Sequence, residues 1–118
     1  MSKYVYTDDM REISGFGDGY EQCCRAMVVA GLEWLDAHPE AKPEFHGFRG
    51  IYGLLMEDND DAKALSRVMV DAGDALGGAT GAQHQATVLH VLQIREKGWD
   101  WYVAEMRQPD AKAEGGES

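Results

Sequence analysis

Basic residues are scarce in this chain, where eleven Lys and Arg stand against 21 Asp and Glu and leave a net charge of −10 at pH 7. Such a surface repels phosphate backbones and acidic membranes, which argues against nucleic-acid and membrane partners and favours solubility. Cysteine is almost missing: Cys23 and Cys24 are the only two. Neighbours on a helix point about 100° apart, so they cannot pair with each other in an ordinary disulfide, and a disulfide scaffold is excluded. No apolar run approaches the roughly 20 residues of a membrane span. The opening residues, Met1 to Asp9, lack the basic start and continuous apolar stretch of a secretory leader. A cytoplasmic protein is therefore expected.

What is present suffices for one core. At 118 residues and 44% hydrophobic content the chain is too apolar for intrinsic disorder and matches the commonest size of a compact domain. Residues 1–108 are expected to form a single helical domain, and the polar, glycine-containing stretch 109–118 a disordered tail. No internal repeat is apparent.

The pattern along the chain is mostly helical. From Asp18 to Asp36, apolar Tyr20, Cys24, Met27, Val28, Gly31, Leu32 and Leu35 recur on one side. Asp18 is the expected N-cap, with Glu21 three residues on, and Pro39 follows the helix end. A second helix is expected from the acidic run 57–61 to about Leu76, with Leu65, Val68, Met69, Ala72 and Leu76 inward and Gly77–Gly78 as its stop. A third opens on the capping box Thr80–Gln83 and ends at Gly98, with Val88, Leu89, Val91, Leu92 and Ile94 spread around it; Leu89 and Leu92 join Leu65 and Met69 as expected core. Trp99 to Met106 reads as a short fourth helix. Phe45 to Met56 reads as a further short helix despite glycines at 47, 50 and 53. Tyr4–Thr7 and Glu12–Phe16 suggest a small N-terminal hairpin. The expected fold is mostly α: one compact domain of four to five helices, with that hairpin as an optional addition.

Few chemical motifs emerge. Gly15-Phe-Gly-Asp-Gly19 opens into the first helix like a phosphate loop, but its G-x-G-x-G spacing departs from the dinucleotide fingerprint and Asp18 would face the phosphates. Helix capping and a flexible helix start explain it more simply. The acidic run 57–61 fails as an EF-hand, since counting from Asp58 gives Lys63 and Met69 where glycine and glutamate are required. The four histidines, His38, His46, His84 and His90, include no pair at i, i+4, and the cysteines lack a zinc-knuckle gap, so no metal site and no cofactor is expected. His84 falls between Val88 and Val91 on the apolar arc and His90 on the polar side. Neither Ser14 nor Ser66 sits in a nucleophile elbow. Arg25 is placed where it would lower a thiol pKa, against the commoner fate of cysteine as a small core hydrophobe.

The reading is therefore a small acidic, non-enzymatic protein-interaction module or homo-oligomer subunit. Trp101, projecting roughly 100° from Tyr102 on the fourth helix, is the candidate interface anchor. The alternative is a small-ligand or nucleotide-binding protein that uses Gly15, Gly17, Gly19 and Tyr20, with His84. A nucleic-acid-mimicking inhibitor of phage or mobile-element type ranks third; on the second helix, however, Asp60, Asp71 and Asp74 share a face with Lys63 and Arg67, which compensates the charge.

Overall fold

The computed structural model describes residues 3–11, 21–49, 54–77 and 81–107. Among them are four helices, α1 (Glu21–Ala37), α2 (Asp60–Asp74), α3 (Gly81–Lys97) and α4 (Trp99–Arg107), and a two-stranded antiparallel sheet of β1 (Phe45–Arg49) and β2 (Leu54–Glu57). The mostly helical class read from the periodicity is the class observed. Asp18, the loop 15–20, Glu12–Phe16, Gly78, Thr80 and the segment 108–118 lie outside the described residues.

The stripe expected on α1 is the stripe it buries: Cys24, Met27, Val28, Gly31, Leu32 and Leu35 all face the core, joined by Cys23. Helices α2 and α3 pack against this face. Close approach depends on two glycines. A Cβ on Gly31 would stand 3.0 Å from Met69 Sδ and 3.1 Å from Val91 Cγ2, and one on Gly73 would stand 2.9 Å from Met27 Sδ. Such distances are shorter than ordinary van der Waals contact, so hydrogen is the only side chain that fits without movement.

Helix α2 begins at Asn59, whose side chain accepts a hydrogen bond from the Ala62 amide at 2.8 Å and donates to the Lys42 carbonyl at 2.8 Å. Asp61 accepts from the Lys42 amide at 2.9 Å. The acidic run thus caps the helix and also ties the loop after α1 to it. Ala62, Leu65, Ser66, Met69 and Gly73 form its buried face, with Val68 and Ala72 half-buried. Leu76, expected inward, is 53% exposed, because the helix ends at Asp74 and Gly77 turns the chain with φ +104°.

Among the described side chains of α3 the buried ones are His84, Thr87, Val88, Val91 and Ile94, one face at i, i+3, i+4, i+7 and i+10. Leu89, expected in the core, sits about 100° from Val88 and is 47% exposed. Leu92 is half-buried at the margin. A single residue, Gly98 at φ +101°, separates α3 from α4. Its amide donates to the Ile94 carbonyl at 2.6 Å and its carbonyl accepts from Tyr102 at 3.2 Å, so one residue closes one helix and opens the next.

Two local expectations are corrected. In place of the short helix expected over Phe45 to Met56, Phe45–Arg49 and Leu54–Glu57 are strands, paired as Phe45 with Glu57, His46 with Met56, Phe48 with Leu55 and Arg49 with Leu54. Gly47 is the extra residue of a bulge, and that insertion spaces Phe45 and Phe48 three apart, which reads as helical in the sequence. The strand expected over Tyr4–Thr7 is irregular chain instead. It runs across α1 and α4, where aromatic packing replaces strand pairing.

Candidate functional site

The N-terminal segment is held by its tyrosines. Tyr4 is buried, with its hydroxyl donating to Asp36 on α1 and its ring edge-on to Trp99 at 5.2 Å. The Tyr6 hydroxyl lies 2.6 Å from that of Tyr102, its ring meets Trp99 at 5.6 Å, and the Arg25 guanidinium stands 4.9 Å over it. Met10 is buried in the core. The Arg11 amide donates to Met106 O at 2.8 Å, Arg25 Nη2 donates to Met10 O at 3.3 Å, and Arg107 pairs with Asp9 at 2.9 Å. Three aromatic edge contacts, each worth about 0.5–1.5 kcal/mol beyond area burial, fasten this strap across the ends of α1 and α4.

Where the strap meets the corner between α3 and α4, it forms one wall of a groove of about 780 Å³. Leu32 and Leu35 of α1, Ile94 of α3, Tyr4 and Trp99 supply its apolar lining. Lys3, Asp36, Arg95, Lys97 and Asp100 supply charge of both signs around it. Lys3 and Asp36 pair at 3.5 Å with largely exposed side chains, a contact worth at most about 1 kcal/mol. Arg95 Nη2 donates to the Pro39 carbonyl at 3.1 Å, and Lys97 Nζ lies 4.7 Å over the Trp101 ring. The signal for this site in the sequence was only the basic last turn of α3 and the aromatic pair Tyr4–Tyr6; their meeting is tertiary.

Of the positions singled out by sequence, His84 and Trp101 are described, and neither lines the groove. Gly15, Gly17, Gly19 and Tyr20 fall outside the described residues, so their relation to His84 is likewise outside them. His84 is buried on the apolar face of α3 and borders a void of about 20 Å³ with Met27, Val70, Gly73 and Asp74. Its Nδ1 has no hydrogen-bond partner among the described residues, and burial pushes the imidazole below its ordinary pKa, with Glu57 opposing. Trp101 is half-buried against the core beneath Lys97. His90, expected on the polar side of α3, lies edge-on to Tyr102 at 5.7 Å because α4 folds back over that side, and burial lowers its pKa too.

Both thiols are buried. Burial raises the pKa of the Cys23 thiol, and raises that of Cys24 to about 12, so both are neutral at pH 7. Arg25, which would have favoured a thiolate, is engaged with Glu21 at 3.1 Å and with Tyr6. Cys23 instead donates to the Gly73 carbonyl at 3.4 Å. Burial likewise raises the Tyr102 hydroxyl to about 12. Among the described residues no three His, Cys, Asp or Glu side chains gather as metal ligands, and no helix is long and apolar enough to cross a membrane.

Compared with known proteins, the chain matches no family model, no curated protein and no solved structure.

Proposed function

We propose that the chain is a non-enzymatic protein-interaction module that holds a segment of another protein in the groove between α1, the α3–α4 corner and the N-terminal strap. The observation that carries this reading is the groove itself, in which half-buried Trp99 and the edges of the buried residues Leu32, Leu35, Ile94 and Tyr4 are bordered by charges of both signs. An apolar centre inside a polar rim is the anatomy of a protein interface. A large aromatic of the kind favoured at binding hot spots is present in half-buried Trp99, and its contacts with Tyr4 and Tyr6 of the strap keep it in place before a partner arrives. The non-enzymatic part rests on the thiols and His84, which are neutral, buried and away from the groove lining.

Selection of random dodecapeptides on the immobilised protein, followed by amide-shift mapping of the selected peptides on ¹⁵N-labelled chain, tests the reading. The expected shifts fall on Lys3–Tyr4, Leu32–Pro39 and Ile94–Asp100. Selection of no binder, or shifts confined to α2 and the sheet, would sink it.

A further inference from the structure

We infer that the segment taken by the groove is acidic, a bulky apolar side chain flanked by carboxylates in a different protein; this rests on the groove being an interaction site. The argument is one of charge. On α2 the cations have acids one turn away, Lys63 after Asp60 and Arg67 before Asp71. Arg95 has none: the residues three and four positions from it are Leu92, Val91, Gly98 and Trp99. Lys97 has only Asp100 at such spacing, beyond the turn at Gly98, and the two are not within ion-pair distance. Both cations line the groove, with a backbone carbonyl and an indole ring as their contacts. With Lys3 and Asp36 paired to each other, the rim is left with two cations, Arg95 and Lys97, against one carboxylate, Asp100, none of them in an ion pair among the described residues. In a chain with 21 acids and eleven bases, this positive excess is complementary to a ligand's carboxylates. The net charge of −10 opposes an acidic partner at long range, but at physiological salt that field is screened beyond about 8 Å and contact at the rim decides.

The test repeats the peptide selection on wild type and on an Arg95→Glu/Lys97→Glu double variant, with sedimentation of each protein alone. Both side chains are exposed, so the fold is expected to persist by circular dichroism. Wild type should enrich Asp and Glu around an aliphatic or aromatic anchor, and the double variant should enrich Lys and Arg. Should the double variant fail to fold, Arg95→Gln and Lys97→Gln separately should each weaken a selected acidic peptide about two- to fivefold. Groove binders without acidic enrichment, or binders indifferent to both substitutions, would overturn the acidic preference while leaving the interaction site standing. Selection of no binder would remove both. A concentration-dependent dimer that the double variant abolishes would assign the groove to a second copy and overturn a foreign partner.

Discussion

At the scale of single residues, space rather than polarity decides what is tolerated. Gly31 lies where α1 meets α2 and α3, and the Cβ of an alanine there would press on Met69 and on Val91, whose β-branched side chain has little rotameric freedom to yield. Alanine would gain about 1 kcal/mol of helix propensity, while overpacking costs about 1–3 kcal/mol. Gly31→Ala should therefore destabilise by up to about 2 kcal/mol in urea unfolding; a stabilised variant would show that the helices separate easily. Leu89→Ala should change stability by less than about 0.5 kcal/mol, since its side chain already stands half in solvent. The thiols obey the same logic of burial. Cys23 and Cys24 are 1% and 0% exposed with raised pKa values, so a disulfide reagent at neutral pH should label them only as fast as the protein opens. Labelling that accelerates with urea is the expected result, and immediate labelling of the native chain would contradict it.

At the scale of elements, the termini of helices carry the joints. The Asn59 side chain bonds forward to Ala62 and backward to Lys42, so Asn59→Ala removes a cap and a loop tether together. A loss of about 1–2 kcal/mol is expected, the upper part of the range for N-caps, and Asn59→Asp should recover the cap but not the tether, because a carboxylate accepts from Ala62 but cannot donate to the Lys42 carbonyl. Gly98 is the other joint. Nothing lies within 4 Å of a Cβ built there, so Gly98→Ala isolates the conformational cost of φ +101°. That cost is about 1–2 kcal/mol, and asparagine, which tolerates positive φ, should show less of it. Equal stability of wild type and alanine variant would mean that α3 and α4 can meet at another angle.

At the scale of the whole molecule, burial of His84 and His90 links stability to pH. Both have pKa values lowered by desolvation, so the folded chain keeps them neutral while the unfolded chain takes up protons near pH 6.5. Their contribution is fully present above that pH and is lost as pH falls toward the depressed folded values. The urea midpoint should drop between about pH 7.5 and about pH 5.5, and His84→Gln should flatten part of that drop. A midpoint unchanged over this interval, or a drop that neither His84→Gln nor His90→Gln reduces, would contradict the burial of these rings.

The α1 stripe, the acidic cap of α2 and the glycine stops at Gly77 and Gly98 were legible in the sequence because each depends on residues within one or two turns, where periodicity and capping chemistry act directly. Phe45–Met56 misled for the same local reason: a bulge at Gly47 shifts strand spacing into helical spacing, and only pairing with Leu54–Glu57 reveals the difference. Leu89 misled because α3 is apolar around much of its circumference, and which arc is buried depends on where α1 lies. Of the groove, only the basic last turn of α3 and the tyrosines of the strap stood in the sequence. Its lining comes from Lys3–Tyr4, Leu32–Pro39 and Ile94–Asp100, segments that become neighbours when the tyrosine strap crosses α1 and packs on Trp99. The sequence by itself determined the helical class and the charge of the chain; the tertiary structure decided which apolar residues are buried and which cations share one rim, because those properties depend on the placing of distant segments and have no local period.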